Sequence, residues 1–216
     1  MGKFLLHCSI AALCSAAMGT ALSAEGTALP DPAAAIARAE LADALRRGGF
    51  TLYFRHTATD FSQPDRDDDA LADCSRQRNL SEQGRTEGRA IGEAMRAMQL
   101  PIGEVVASPF CRTMETARLI TGRATASRDV RGYATPRGKP DYSALERLLA
   151  TPPAPGTLRI VASHGNPFIA IAGSPRLDEG EAAVIRGDGK RWTIVARIKV
   201  AEWAALAQDA VNKKGP

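Results

Sequence analysis

The stretch "LYFRHTATD", Leu52 to Asp60, decides how this chain is read. Its opening belongs to an apolar, β-prone run from Phe50 to Phe54, the composition of a buried strand. The run stops on Arg55 and His56, side by side. A guanidinium and an imidazole are costly to bury without partners, so a strand that ends on both must deliver them to something.

Two further strand-like runs end in the same way. "EVVAS" (Glu104 to Ser108) leads to Ser108-Pro109, which predicts the start of a helix through about Thr121 that carries Arg112. "TLRIVAS" (Thr157 to Ser163) leads to His164, and Asn166-Pro167 has the N-cap and first-turn pattern of another helix. Other helices are predicted from an N-cap at Asp31 with Pro32 to a stop at Gly48-Gly49, from Ser81 to about Gln99, from Asp141 to Ala150, and from about Val200 to Val211. Residues 125–131 suit a short strand, and "AAVIRGDGKRWTIVARI" alternates around Gly187-Asp188-Gly189 as a hairpin does. Strands alternating with helices predict one α/β domain with a mostly parallel sheet.

In such a sheet the site forms outside the carboxyl ends of the strands. Arg55, His56, Ser108, Arg112 and His164 would then share one edge. Guanidinium groups grip phosphate oxygens through forked, charge-assisted hydrogen bonds. A neutral imidazole is a nucleophile, and a second imidazole can stabilise charge on the group being transferred. This chemistry requires no metal and no cofactor.

Composition sets outer limits. The 216 residues are 44% hydrophobic and 24% charged, which suits one globular domain. A net charge of +4 and 5% aromatics argue against a nucleic-acid partner. Residues 1–24 have a different character: Lys3 precedes an apolar, alanine-rich run, and "GTALSA" supplies small residues for cleavage between Ala21 and Ala24. This order predicts a secretory signal peptide, with the working domain at 25–216 and a periplasmic or secreted location. The run is too short and too interrupted to span a bilayer, so no stable membrane insertion is expected after its removal. Leu13 stands before Cys14 where a lipid-anchor site wants a small residue. Removing Lys3 leaves a formal charge of +3. It also leaves two cysteines, Cys74 and Cys111, which an oxidising compartment would allow to pair or which stay as separate thiols. His56 and His164 are the only histidines that remain.

"RHTATD", "LSEQGR", "SPFCRTMETA" and "VASHG" together resemble the histidine phosphatase superfamily, the phosphoglycerate mutase-like proteins, from about Gly49 to Arg197 and in the family's order. The resemblance implies a three-layer α/β/α sandwich with a mostly parallel central sheet. It implies that His56 is phosphorylated, that Arg55, Arg112 and His164 complete the phosphate pocket, and that Thr59 and Ser108 line it. Two features depart from the pattern. Thr57 stands where the family usually has glycine, although a threonine still offers the carbonyl that orients the imidazole. The segment "RDVRGYATPRGKPDYSAL" lacks the glutamate that many members use as a general acid. Glu181 is the favoured substitute, with Asp60, Asp129 and Asp141 as alternatives. A missing strong acid points to a good leaving group, such as a phosphoramidate or an anhydride.

Several residues carry blander readings. Arg76 and Arg78 either reach a second phosphate or are exposed charge. "DRDDD" (Asp65 to Asp69) lacks the spacing of a calcium loop and suits a solvated loop. Trp192 and Trp203 suit packing, and Gly84, Gly88 and Gly92 suit close helix contact. The expected partner is a phosphorylated small molecule or envelope compound, such as a sugar or inositol phosphate. Export separates the chain from glycolytic intermediates and so disfavours a mutase. The alternatives are a phosphate- or polyanion-binding protein of the same fold without turnover, and an interaction module that uses the basic surface.

Overall fold

The computed structural model describes residues 35–66, 71, 73–134 and 140–213. The expected leader, the helix start at Asp31-Pro32 and Asp67 to Asp69 lie outside the described residues.

Strands β1 (Phe50–Arg55), β2 (Ile102–Ala107), β3 (Thr125–Ala126), β6 (Leu158–Ser163), β7 (Ala182–Gly187) and β8 (Trp192–Ile198) form one sheet in the order β3-β2-β6-β1-β7-β8. The first four are parallel, and the β7–β8 hairpin joins antiparallel to β1. β4 (Tyr133–Ala134) and β5 (Pro140–Asp141) make a small separate pair. The helices are α1 (Arg38–Arg47), α2 (Glu82–Ala97), α3 (Cys111–Thr121), α4 (Ser143–Ala150), α5 (Gly165–Ala172) and α6 (Trp203–Asn212).

Strand periodicity builds the three layers. Along β1, Leu52 and Phe54 pack with Leu41, Ile91, Met95 and Trp203, whereas Tyr53 between them packs with Leu145, Phe168 and Ile171. β6 divides likewise, with Ile160 on one side and Val161 on the other. A sheet buried on both faces explains the near-continuous apolar character of these central strands.

Several boundaries move from their expected places for local reasons. α1 starts at Arg38, because Ile36 N–H donates to the Val195 carbonyl at 2.9 Å instead of beginning a helix. Its end is as expected, with Gly48 and Gly49 at positive φ. α3 starts at Cys111, since Ser108 N–H is still bonded across the sheet to the Ala162 carbonyl at 2.9 Å. The expected strand at 125–131 is two residues long and gives way to a 3-10 turn, Arg128–Val130, that Ser127 caps by accepting from Asp129 N–H. Asp141 lies in β5 and accepts from Ser143 N–H, so α4 begins after it. At α2 the expectation holds: Ser81 Oγ accepts from Gly84 N–H at 3.1 Å.

Cys74 and Cys111 form a disulfide, their Cα atoms 5.7 Å apart. Among the described residues, no helix is long and apolar enough to cross a membrane.

Candidate active site

β6 lies between β1 and β2, and its end sets the site. Arg55 is in register with Ser163, and Ala107 with Ala162. Just beyond them, His56 N–H donates to the Ser163 carbonyl at 3.0 Å, while Ser108 N–H donates to that of Ala162. The three chains therefore leave the sheet at nearly one level. That places the rings of His56 and His164 with centroids 5.7 Å apart, inclined at 67°. They open on a cavity of about 510 Å³ whose inner wall also carries Arg55, Arg78, Arg112 and Asp65.

His56 is 2% exposed, and its Nδ1 lies 3.0 Å from the Thr57 carbonyl. A carbonyl only accepts, so Nδ1 carries the proton and Nε2 keeps a lone pair. Thr57 supplies this carbonyl without entering left-handed backbone, and its own N–H donates to Thr116 Oγ1 at 3.2 Å. Glycine is thus dispensable at this position.

Burial pushes the His56 imidazole down to about 3; the Thr57 carbonyl opposes this, and Arg112, Arg55 and Arg78 add to it. Burial, then Arg112 and His56, hold His164 well below the ordinary histidine value. Both rings are therefore neutral near neutral pH. In the chain lacking residues 1–24, proton NMR should show neither imidazole titrating between pH 5 and 8. A pKa near 6.5 for either ring would mean it is not desolvated as described. The sign for stability follows from the same shift. The unfolded chain binds protons below about pH 6.5 that the folded chain refuses. Stability should fall with acidification by about 1.4 kcal/mol per pH unit for each histidine, continuing for His56 towards its folded value.

The arginines are set by different elements. Arg55 donates through Nη1 to the Leu177 carbonyl at 3.0 Å and through Nη2 to Glu179 Oε1 at 3.1 Å, and its buried Nε has no partner. Arg78 Nε is likewise buried without a partner, the guanidinium resting 4.6 Å from the Phe61 ring centroid. Arg112 donates through Nη1 to Asp65 Oδ1 at 2.9 Å and lies 4.5 Å from the Phe110 ring centroid. Buried donors left unsatisfied are costly, and an oxyanion in the cavity is the group that would satisfy them.

The structure brings Arg55, His56, Arg78, Arg112 and His164 together on the cavity wall. Ser108 stands behind it, its Oγ 2.9 Å from His164 Nε2. Thr59 turns away from the cavity and donates to Glu179 Oε1 at 3.0 Å. Arg76 lies exposed on a 3-10 turn outside the lining. The expectation for Glu181 is corrected: it is buried in a pair with Arg197 of β8, at 2.8 and 2.9 Å, and does not line the cavity. Asp60 is engaged with Ser62 and Gln63, Asp141 caps α4, and Asp129 sits on the exposed turn before Val130. None of these carboxylates lines the cavity.

Two carboxylates stand near the reaction centre: Glu179, which the sequence reading passed over, and Asp65, which it placed in a solvated loop and which instead pairs with Arg112 on the cavity wall. Glu179 accepts from Arg55, from Thr59 N–H and from Thr59 Oγ1, and lies 4.0 Å from His56 Nδ1. Asp65, hidden in an acidic run, accepts from Arg112 and from Arg78 N–H; those donors and the two arginine charges outweigh its burial and hold its carboxyl below the usual carboxylate range. Arg131 and Arg176 also line the cavity.

Comparison with known proteins finds the same fold elsewhere. Residues 52–131 match the family profile described as the histidine phosphatase superfamily (branch 1). The protein histidine phosphatase SixA complexed with tungstate is 19% identical and superposes with a TM-score of 0.50 over 71% of this chain and 98% of that one. A mycobacterial glucosyl-3-phosphoglycerate phosphatase with inorganic phosphate is 17% identical, with a TM-score of 0.50 over 71% of this chain and 99% of that one. No curated protein sequence matches.

Proposed function

We propose that this chain, whose residues 52–131 match the histidine phosphatase superfamily, is an exported, metal-independent phosphatase that works through a phosphohistidine on His56. The observation that carries the mechanism is the neutral, Nδ1-protonated imidazole at the edge of a cavity lined by guanidinium groups.

The substrate phosphoryl group takes the place between Arg55, Arg78 and Arg112, which hold its oxygens and stabilise charge in the transition state. The His56 Nε2 lone pair forms an N–P bond as the bond to the leaving group breaks with its electron pair, and the leaving group takes a proton. Water then adds to phosphorus, the N–P bond breaks back onto Nε2, and inorganic phosphate departs as the water gives up a proton. The Thr57 carbonyl holds the Nδ1 proton throughout and fixes the ring's aim.

The leaving group is inferred from the acids. Asp65 is the only carboxylate on the cavity wall among the described residues, and its pairing with Arg112 favours the charged form. An anionic carboxylate is a poor donor, which favours phosphoramidates and anhydrides over alkyl monoesters. One structural neighbour is a protein histidine phosphatase and the other a glucosyl-3-phosphoglycerate phosphatase, so this fold hosts both a P–N and a P–O substrate. Export is supported by the leader pattern of residues 1–24 and by the Cys74–Cys111 disulfide, which an oxidising compartment sustains.

The test is to trap the intermediate. Residues 25–216 mixed with ³²P-labelled phosphoramidate, quenched in alkaline denaturant and digested, should yield label on the His56 peptide, in chelator as without it. Phosphate affinity with no adduct would make the chain a binding protein. Labelling lost in chelator and restored by a metal would overturn the mechanism.

A further inference from the structure

We propose that Glu179 is the counter-ion of the phosphohistidine: its carboxylate stabilises the positive charge that the His56 ring acquires as Nε2 bonds to phosphorus. The proposal rests on the phosphatase reading and adds to it a positioning residue, one that acts through the nucleophile rather than on the substrate.

Charge is the first argument. The Nε2 lone pair enters the N–P bond while the leaving group departs with the electrons of its own bond, and Nδ1 keeps its proton. The ring therefore changes from neutral to cationic. The Thr57 carbonyl, 3.0 Å from Nδ1, holds that proton but cannot take it. Burial, and then Arg112, Arg55 and Arg78, disfavour positive charge on this ring. Glu179 Oε1 lies 4.0 Å from Nδ1, the nitrogen that does not attack. Among the described residues it is the one carboxylate this near the ring. A full charge at that distance acts more strongly in a shielded site than it would in water.

Placement is the second argument. Glu179 does not line the cavity, so an entering phosphoryl group does not compete with it. The carboxylate is fastened by three donors: Arg55 Nη2 at 3.1 Å and Thr59 Oγ1 at 3.0 Å on Oε1, and Thr59 N–H at 3.1 Å on Oε2. Its main chain is tied to the nucleophile as well. The next residue, Gly180, donates its N–H to the His56 carbonyl at 2.9 Å. Gly180 has a φ of 77°, and a Cβ there would fall 2.5 Å from Val200 Cγ2. Glu181 closes the turn by accepting from Asp178 N–H at 2.7 Å and fastens it to β8 through Arg197. The carboxylate is thus set against the ring by its side chain and its main chain together.

Rapid-quench kinetics on residues 25–216 separate the two half-reactions: label appearing on His56 from ³²P-labelled phosphoramidate, and label lost in an unlabelled chase. Glu179→Gln keeps the size of the side chain and removes its charge. Formation of the adduct should slow by about tenfold or more. Its loss should be unchanged or faster, because the cation is stabilised less before the N–P bond breaks. Inorganic phosphate should bind at least as tightly by calorimetry, which also shows that the variant is folded. Glu179→Asp, which keeps the charge, should recover part of the rate of formation. Equal slowing of both steps with weaker phosphate binding would leave Glu179 as a brace for Arg55 and overturn this proposal alone, as would formation at the parent rate. A parent chain that binds phosphate but takes no label would overturn the phosphatase reading, and with it this proposal.

Discussion

His56→Ala is expected to lower kcat by about 10⁴-fold or more, the scale seen when a covalent nucleophile is removed. The loss should fall on kcat rather than on phosphate binding, because the groups that grip the anion are guanidinium groups held by other elements. Arg55 is fixed by Leu177 and Glu179, and Arg112 by Asp65 and the Arg78 carbonyl. A residual rate above that in water should survive from this electrostatic cradle alone. The substitution empties a buried site, so added imidazole has a place to enter and should restore part of the rate. Steady-state kinetics with para-nitrophenyl phosphate, with phosphate as competitor, measure both quantities. Near-normal turnover in His56→Ala would remove the nucleophile from the mechanism.

Breaking the Cys74–Cys111 bond should affect both stability and the site. The two cysteines are 37 residues apart, and a loop of that size corresponds to about 4 kcal/mol in the chain-entropy account of cross-links, a model-dependent figure. For a chain of this size that is roughly 10 °C in Tm. The functional consequence comes from what the bond fastens. Cys111 opens α3 next to Arg112, and Cys74 sits in the segment that supplies Arg78. That segment also caps the helix, since Gln77 Oε1 accepts from Cys111 N–H at 2.8 Å. Cys74→Ser/Cys111→Ser should therefore show a lower Tm and a raised KM together. Unchanged values for both, in reducing buffer or in the double variant, would show that the bond is dispensable.

The catalytic edge was legible in the sequence because each of its parts is local. A β-prone run followed at once by Arg-His, Ser-Pro-Phe-Cys-Arg or Ser-His-Gly states both the strand and what the strand delivers. Pairings made across the fold left no such trace. Glu179 and Glu181 stand two residues apart in one acidic turn, yet one holds Arg55 and the other is taken up by Arg197 of β8. Composition cannot tell them apart; their burial partners do. Asp65 was obscured for the same reason, its neighbours in the run being acidic too, while its partner lies 47 residues away. The cysteine pairing was left open by counting and is settled by proximity. The start of α1 depended on Ile36 bonding to the distant β8, which no local cap could reveal.

The inner face of α2 has a consequence for how freely this molecule can change. Side-chain carbons at Gly84, Gly88 and Gly92 would fall 2.0 Å from the Ala58 carbonyl oxygen, 2.9 Å from Leu119 Cβ and 2.6 Å from the Ile120 carbonyl oxygen. The spacing between the His56 loop, α2 and the Arg112 helix is accordingly set by the thickness of bare main chain. Turnover of the apolar interior through successive hydrophobic exchanges can proceed without altering that gauge, so drift in the core and constancy at the reaction centre are compatible in one small domain.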